Sequence, residues 1–542
     1  MTAHRCRLNS RVKNSLLKLR RKISRSEWVI RLLNLPLPEH ASTEPGLILI
    51  QIDGLSYSEF EKALEKNRLP FLGQLLASRE FTLKPFYSGM PSATPAVQAE
   101  LFFGMKTAVP AFQFYRRQSG ENCIMYHPRC VNRVAEVLET EHKGLLKGGT
   151  SYGNVFAGGA TEARYCAQTL NLESFLKAAN PIKVLMVFLS HVGKFLRIFG
   201  LVFIELGLAL VDFFSGIVER KNFFKELKFV PTRVGICIVL RELIRTRLKI
   251  DALRGVPVIH ADFIGYDEQA HRRGPSSAFA HWTLQGIDGA VKDIYRAALR
   301  SEYRTYQIIF HSDHGQEDCA SYELIHGIAV NTAIAEVFSK GTMSNLSFDT
   351  SHSSPTGVIL KRRRRGIIRK GATRLRSEAV GQGPIQEIKV AAMGPLGHIY
   401  MPTRISNKEK ERYAVKLVKK AQIPLVLYDR GDSVMAFNGA GPFDLYENRE
   451  QILGRDHPFL DVVAEDLARL CRHQDSGDFV ISGWRPGEKP VTFPIENGAH
   501  GGPGTEETRG FILMPKSAVI EKPLLRPLDL REIALALIGE TR

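Results

Sequence analysis

Three segments of the sequence share one design, an apolar run that ends in an acidic turn, and this repeated design restricts the possible folds most. Residues 47–52 lead to Asp53, residues 256–262 lead to the turn GYDEQAHRRGP, and residues 306–310 lead to Ser312, Asp313 and His314. Near-continuous apolar runs between turn residues are typical of strands buried on both faces. Helix-like stretches at 58–79 and 276–299 separate the runs. The pattern predicts an α/β fold whose mainly parallel central sheet is covered by helices on both faces.

The acidic turns predict a ligand site. In open α/β sheets the ligand lies beyond the carboxyl ends of the strands, and an Asp-Gly pair after a single strand is most often only a turn. Together, however, the turns bring Asp and His side chains to one edge of the sheet. Such ligands without cysteine are typical of catalytic zinc. The candidate ligands at this edge are Asp53, Asp267, His271, Asp313 and His314.

Spacing adds detail to this set. Asp267 and His271 are four residues apart, so on a helix both side chains would face one ion. His500 lies in the glycine-rich segment ENGAHGGPG, where backbone can approach a ligand closely, and completes the shell of that ion. The other histidines considered lie in strand-like runs. We expect His398 in the core or at a sheet edge, and His260 and His311 facing neighbouring helices. Two neighbouring ions suit an in-line displacement at phosphorus.

A candidate nucleophile lies in the segment GMPSATPAVQAELFFG, residues 89–104. Residues 96–103 are predicted to form a helix, which puts Thr94 at or near its N-terminus, where the helix dipole favours a phosphate. A hydroxyl that loses its proton to metal coordination is an activated nucleophile. The alternative is that Ser92 or Thr94 only caps the helix, and the two interpretations are compatible.

Six motifs follow one another in the order found in a known family. They are IDG at 52–54, PSAT with its later glycine at 91–104, DEQAHRRGP at 267–275, DGAVKDIY at 288–295, SDHGQ at 312–316 and AHGG at 499–502. The chain thereby resembles the alkaline phosphatase superfamily, and within it the type I phosphodiesterase/nucleotide pyrophosphatase branch. The resemblance implies an alkaline phosphatase-like fold, two zinc ions and a phospho-threonine intermediate on Thr94. It assigns Asp53, Thr94, Asp313 and His314 to one ion, and Asp267, His271 and His500 to the other.

The sequence departs from that branch beside the nucleophile. Thr94 is followed directly by Pro95, where the branch usually has Thr-x-Pro-Asn, and the downstream Asn that holds a phosphate oxygen is absent. That stretch carries Tyr115, Arg116 and Arg117 instead. An arginine pair suits an anionic phosphate as a bidentate clamp. These three residues are therefore candidate substrate-binding residues, with a surface role as the alternative.

The net charge of +18 is concentrated in an N-terminal arm from Arg5 to Arg25 and in the arginine-rich run 361–365. Such charge attracts anionic partners, and residues 13–34 have the pattern of a basic amphipathic helix. We therefore expect an anionic membrane surface as a partner, and no specific nucleic acid, because no recognition module is present. The seven scattered cysteines indicate reduced thiols, and no secretory signal is recognised.

An apolar insertion interrupts the catalytic core. Within residues 182–218 the charged residues Lys183, Lys194, Glu205 and Asp212 fall on one stripe of a helix, which favours an amphipathic helix over a membrane span. Site residues lie on both sides of the insertion along the chain, so a single crossing is excluded. We predict a cytoplasmic, peripherally membrane-associated protein, with a two-pass hairpin at 182–218 or a helical lid as alternatives.

These features predict the organisation and the activity of the chain. The activity is metal-dependent hydrolysis of a phosphoester, by a phosphodiesterase or phosphatase, on a phosphorylated small molecule or lipid head group. A phosphoryl or head-group transferase with the same site and a non-catalytic membrane-bound scaffold are the alternatives. The predicted segments are an N-terminal arm (1–44), core (45–165), helical insertion (166–255), core (256–345), a basic cap-like subdomain (346–440) and core (441–542).

Overall fold

The fold is described from a computed structural model. It describes residues 37–170, 234–339, 387–518 and 520–539, together with the single positions 200, 203 and 385. The N-terminal arm, most of the apolar insertion and the arginine-rich run 361–365 lie outside the described residues, and so do the predictions made for them. Within the described ranges, no helix is both long enough and apolar enough to cross a membrane.

The strands and helices are numbered in chain order. The strands are β1 (Gly46–Ile52), β2 (Phe81–Tyr87), β3 (Gln113–Tyr115), β4 (Asn122–Ile124), β5 (Thr150–Tyr152), β6 (Glu162–Arg164), β7 (Val258–Phe263), β8 (Tyr306–His311), β9 (Glu317–Asp318), β10 (Ala320–Ser321), β11 (Lys389–Met393), β12 (Leu396–Tyr400), β13 (Leu425–Asp429), β14 (Val434–Asn438), β15 (Gly441–Asp444), β16 (Phe479–Ser482), β17 (Val491–Thr492), β18 (Gly498–Ala499) and β19 (Arg509–Pro515). The helices are α1 (Tyr57–Glu65), α2 (Pro70–Ala77), α3 (Thr94–Phe103), α4 (Pro128–Glu141), α5 (Arg241–Arg254), α6 (Gly265–Arg273), α7 (Ala278–Ala298), α8 (Tyr322–His326), α9 (Val330–Ser339), α10 (Asn407–Lys419), α11 (Arg449–Leu453), α12 (Leu460–Cys471) and α13 (Pro527–Leu537).

A seven-stranded sheet with the order β2-β19-β8-β1-β7-β5-β6 forms the centre of the larger lobe. Neighbours from β8 to β6 pair in parallel, and only β19 runs antiparallel, between β2 and β8. All residues of β1 and β7 are buried, because α1, α2, α5 and α7 cover one face of the sheet and α3, α4 and α13 cover the other. The predicted mainly parallel α/β sheet is confirmed.

The stretch after β1 differs from its prediction. One helix was expected over 58–79, but two helices form, with a break at Asn67, whose φ is 52°. Pro70 starts the second helix, where its missing N–H costs nothing. Asp288 of α7 accepts the backbone N–H groups of Phe71 and Leu72 at 2.9–3.1 Å. The motif DGAVKDIY thus anchors the N-terminus of α2 to the rest of the lobe.

The smaller lobe is built on a six-stranded antiparallel sheet with the order β11-β12-β16-β13-β14-β15. Helices α9 and α10 pack on one face, and α11 and α12 pack on the other. The predicted segment boundary at residue 440 falls between β14 and β15. His398 of β12 is buried, with Nε2 3.2 Å from the carbonyl oxygen of Pro110 and Nδ1 accepting the N–H of Gly477 at 3.1 Å. The prediction of a core histidine is confirmed, and its ring links the two lobes.

Of the insertion at 166–255, the structure describes residues 166–170 and 234–255 and the single positions 200 and 203. A π-helical segment at Val234–Leu240 continues into α5. Helix α5 packs against α7 on the sheet. The six cysteines in the described part of the chain are all free and buried, in agreement with the reduced thiols expected from the sequence.

Candidate metal centre and nucleophile

Three acidic side chains meet at one edge of the larger sheet. Asp53 follows β1, Asp267 lies in α6 just after β7, and Asp313 follows β8. The strands β7, β1 and β8 are adjacent and parallel, so the turns at their carboxyl ends lie close together. In open α/β sheets this is the edge at which ligands bind. Asp53 and Asp313 are buried.

The first group of candidate ligands is Asp267, His271 and His500. Helix α6 puts Asp267 and His271 one turn apart on the same face, with Oδ2 of the aspartate 3.4 Å from Nε2 of the histidine. The other carboxylate oxygen is 3.7 Å from Nε2 of His500, which arrives from the loop between β18 and β19. One ligand atom of each residue lies within 4.8 Å of the others, so the structure brings the three predicted ligands together.

A second group adjoins the first. Asp53, Asp267 and His314 also offer ligand atoms within 4.8 Å of one another, so Asp267 belongs to both groups. Nε2 of His314 is 3.5 Å from Oδ1 of Asp53 and 3.2 Å from Oδ2 of Asp313. The other Asp313 oxygen accepts the N–H of Gly54 at 3.3 Å. The candidate ligands therefore form two adjoining groups.

Thr94 is the first residue of α3, and its hydroxyl oxygen is 3.2 Å from Nε2 of His314. The capping position belongs to Ala93, which offers no side-chain cap, so neither Ser92 nor Thr94 serves as the helix cap. The Ser92 hydroxyl points to the His500 loop, where it donates to the carbonyl oxygen of Gly502 at 2.7 Å. Of the two hydroxyls, that of Thr94 lies at the candidate ligands.

The acidic residues repel one another at this edge. Burial, with the charges of Asp262, Asp313 and Asp267, raises the pKa of Asp53. Burial and Asp267 raise the pKa of Asp313 to about 6. Oδ1 of Asp53 and Oδ2 of Asp313 are buried without a hydrogen-bond partner among the described residues. Buried carboxylate oxygens without donors are costly, and bound cations would offset that cost. The residues present fit divalent metal ions.

His314 and His500 are arranged as neutral ligands. Burial lowers the pKa of His314 to about 4, and burial with the neighbouring His314 lowers that of His500 to about 3. Their Nδ1 atoms are 2.9 Å from the carbonyl oxygens of Gly315 and Ser92 respectively. A carbonyl only accepts, so Nδ1 carries the proton and Nε2 offers its lone pair to the candidate site. Metal binding requires this neutral form.

A comparison with known protein families gives one match. Residues 228–440 match the family model described as type I phosphodiesterase / nucleotide pyrophosphatase, and this range contains Asp267, His271, Asp313 and His314. The matched segment is less than half of the chain, which is therefore similar to this family of phosphoric ester hydrolases over that segment. No curated protein matches the chain.

Solved structures that a comparison finds similar to this chain include two of phosphonoacetate hydrolase from Sinorhizobium meliloti 1021, in complex with phosphonoformate or phosphonoacetate. Each has a TM-score of 0.46 at 13% identity and covers 93% of this chain and 97% of the other. A structure of murine ectonucleotide pyrophosphatase/phosphodiesterase 5 in complex with AMP has a TM-score of 0.46 at 10% identity. It covers 92% of this chain and 96% of the other.

Several polar residues beside the candidate ligands were not predicted. Gln316 donates to the carboxylate of Asp267 and, at 3.2 Å, to its carbonyl oxygen. Asp262, buried at the end of β7, accepts the side-chain amide N–H of Gln51 at 2.9 Å. Its negative charge contributes to the raised pKa of Asp53. Gln316 directly follows the motif SDHG, which is a usable signal. Asp262 has no local signal, because its neighbours come from other strands.

Two of the predicted substrate-binding residues, Tyr115 and Arg117, contact the smaller lobe. The Tyr115 N–H donates to the Tyr400 hydroxyl at 3.1 Å. The Arg117 guanidinium donates to the Ser476 carbonyl oxygen at 2.8 Å and pairs with Asp478 at 3.1 Å. Both therefore contact the smaller lobe, and their role in substrate binding stays a prediction.

Arg116 lines a cleft of about 1030 Å³ between the lobes. Its wall includes residues 105–108, which follow the C-terminus of α3, whereas Thr94 stands at the N-terminus of the same helix. A helix of ten residues is about 15 Å long. This cleft is thus distinct from the candidate metal centre.

The remaining histidines of the larger sheet lie behind the site. The His260 ring packs edge-on against Phe102 of α3 at 4.9 Å between centroids, so it faces a helix as predicted. The His311 ring contacts His260 at 5.5 Å and Phe86 of β2 at 6.3 Å. Both are fully buried.

Proposed function

We propose that the chain hydrolyses phosphoric esters with two divalent metal ions, zinc being the expected metal, and with Thr94 as the nucleophile. The observation that carries the proposal is the pair of ligand groups that share Asp267, with the Thr94 hydroxyl 3.2 Å from His314. The match of residues 228–440 to the type I phosphodiesterase / nucleotide pyrophosphatase family model supports it independently.

Each ion has a proposed set of ligands. One would be held by Asp267, His271 and His500, and the other by Asp53, Thr94, Asp313 and His314. When bound, the ions lower the pKa of a coordinated hydroxyl and neutralise charge on the attacking and leaving oxygens. The carboxylates that lack donors then gain partners, which explains why this edge tolerates so many buried acids.

The proposed reaction has two displacements at phosphorus. Thr94 Oγ1 forms a bond to phosphorus while the bond to the leaving oxygen breaks, and the proton lost by Thr94 ends on the released alcohol. In the second displacement, the oxygen of a water molecule forms a bond to phosphorus while the bond from phosphorus to Thr94 Oγ1 breaks. One proton of that water goes to Thr94. The N-terminus of α3, the positive end of the helix dipole, faces the phosphoryl group in both steps.

The proposed substrate is a phosphorylated small molecule, and the family favours a phosphodiester. A lipid head group as the substrate and a cytoplasmic, peripherally membrane-bound location stay predictions, because the segments that motivate them lie outside the described residues. Tyr115, Arg116 and Arg117 stay candidates for substrate contacts.

Parallel assays with a nitrophenyl phosphomonoester and a bis-nitrophenyl phosphodiester test this proposal. We expect hydrolysis with added zinc, loss of hydrolysis in excess chelator, and recovery when zinc is restored. Elemental analysis should find about two ions per chain. Full activity in excess chelator would contradict the metal role, and inactivity toward both esters with zinc bound would contradict the proposed hydrolysis.

A further inference from the structure

A carboxylate outside the predicted ligand set lies behind His271. Nδ1 of His271 is 3.1 Å from Oε2 of Glu496 and 3.0 Å from the carbonyl oxygen of Gly498. Both neighbours are acceptors, so Nδ1 carries a ring proton, and Nε2, 3.4 Å from Oδ2 of Asp267, is the atom that would bind an ion. We propose that Glu496 is a positioning residue that fixes the tautomer and orientation of His271 and strengthens its binding of a divalent cation.

The carboxylate of Glu496 is itself held in place. The Thr492 hydroxyl donates to its Oε1 at 2.5 Å, while Oε2 faces the His271 ring. Both oxygens are thus engaged, and the side chain is 9% exposed. A carboxylate fixed by two partners orients the ring with little loss of side-chain freedom when the ion binds.

The backbone around Glu496 is fastened to the end of α6. The N–H of Asn497 donates to the His271 carbonyl oxygen at 2.8 Å, and its side-chain amide donates to that of Arg272 at 2.6 Å. A Cβ at Gly498 would stand 2.4 Å from the Ala270 carbonyl oxygen, so only glycine permits this approach. The spacing between Glu496 and His271 therefore follows from the fold.

Glu496 distinguishes the two ligand groups. The Nδ1 atoms of His314 and His500 face backbone carbonyls, whereas that of His271 also faces a carboxylate. A carboxylate behind a histidine ligand raises its basicity, and loss of such a partner typically costs about 10- to 100-fold in metal affinity. Glu496 acts on the group that contains Asp267, His271 and His500, so its loss should weaken one ion selectively.

The inference rests on the proposed two-ion site but needs only ion binding, not turnover. Metal-free wild type and Glu496→Gln are titrated with zinc against a chelating indicator, without substrate. Glutamine keeps the size and an acceptor oxygen but removes the charge. We expect two binding steps in wild type, and in the variant one step weakened by about 10- to 100-fold with the other unchanged.

Two further variants and one stability measurement make the test specific. Glu488→Gln, the same substitution at an exposed position paired with Arg485, should bind both ions like wild type. Thr492→Val, which removes the donor to Glu496, should weaken the same step by a smaller factor. Thermal unfolding of the metal-free proteins checks that Glu496→Gln still folds.

The outcomes separate the two claims. If wild type binds two ions and Glu496→Gln binds both equally well, or weakens both steps equally, the positioning role is overturned while the proposed function stands. If wild type binds no zinc, the proposed function fails first. Should Glu496→Gln unfold, Thr492→Val decides: selective weakening of one step supports the role, and unchanged binding overturns it.

Discussion

At the scale of single residues, Asp267 has the most demanding position. It belongs to both ligand groups and is approached by the rings of His271 and His500. Burial opposes its ionisation, but His271, His500 and His314 outweigh burial and lower its pKa. The neighbouring histidines thus favour the ionised form of Asp267, while burial and neighbouring acids raise the pKa values of Asp53 and Asp313.

A substitution of Asp267 should weaken the ion held by Asp267, His271 and His500. We expect Asp267→Asn to lower zinc content from about two ions per chain to about one, because that ion loses its only carboxylate ligand. Asp53→Asn, which touches the other group, should also lose about one ion. Elemental analysis after dialysis against dilute zinc checks this. If Asp267→Asn retained both ions, Asp267 would be ruled out as a ligand.

The nucleophile gives a second test at this scale. Thr94→Ala should lower kcat by several orders of magnitude, because the oxygen that attacks phosphorus is gone, while zinc is still bound. Ser92→Ala should cost far less, since the Ser92 hydroxyl contacts Gly502 and the Gly501 N–H rather than the ligand groups. Steady-state kinetics with the phosphodiester measure both variants. An inactive Ser92→Ala beside an active Thr94→Ala would move the nucleophile to Ser92.

At the scale of elements, the sequence patterns predicted the features that depend on residues close together in the sequence. The apolar runs of β1, β7 and β8 are buried strands, and the acids after them follow from strand direction. The features that were not predicted depend on contacts between residues far apart in the sequence. The antiparallel β19 is fixed by pairing with β2 and β8 across the chain. Glu496 contacts His271, which is 225 positions away in the sequence, and no periodicity in either segment predicts that contact.

The loop from His500 to Thr508 shows how such contacts hold an element. Glu507 accepts the N–H groups of Gly502 and Gly504 at 2.7 and 2.8 Å, and its Oε2 is 3.3 Å from the Ser92 hydroxyl. Burial and the nearby Glu317 raise the pKa of Glu507 to about 8. The loop that carries His500 is therefore closed by a carboxyl group that is protonated in the folded state at neutral pH.

The raised pKa predicts a pH dependence of stability. A carboxyl whose pKa is higher in the folded state binds its proton more tightly there, so its stabilisation is present at low pH and is lost as pH rises through about 8. Metal-free wild type should lose stability between about pH 6 and pH 8.5, on the order of a few kcal/mol. Glu507→Gln should show a flatter profile and higher stability at pH 8.5. Thermal unfolding across this range checks both, and parallel profiles would contradict the assignment.

At the scale of the whole molecule, the two lobes meet at a buried charge network. Arg526, which precedes α13, binds both carboxylate oxygens of Glu100 on α3 at 2.6 and 2.9 Å. Its Nη2 also lies 3.1 Å from Asp466 on α12 of the smaller lobe, whose carboxylate accepts the Tyr87 hydroxyl at 3.0 Å. One arginine therefore ties the helix that carries Thr94 to the smaller lobe.

Removal of this arginine should weaken the whole molecule. Arg526→Met leaves Glu100, which is 3% exposed, without a counter-ion among the described residues, and leaves Asp466, also 3% exposed, with only the exposed Arg469 at 3.8 Å. An unpaired buried charge costs about 3–5 kcal/mol, so the free energy of unfolding in urea should fall by that amount. Arg449→Met, which breaks the exposed pair with Asp461, is the matched control and should change stability little. Further substitution to Glu100→Gln and Asp466→Asn in the Arg526→Met background should recover part of the loss, because the stranded charges are removed. Equal stability of the two methionine variants would show that the network does not hold the lobes together.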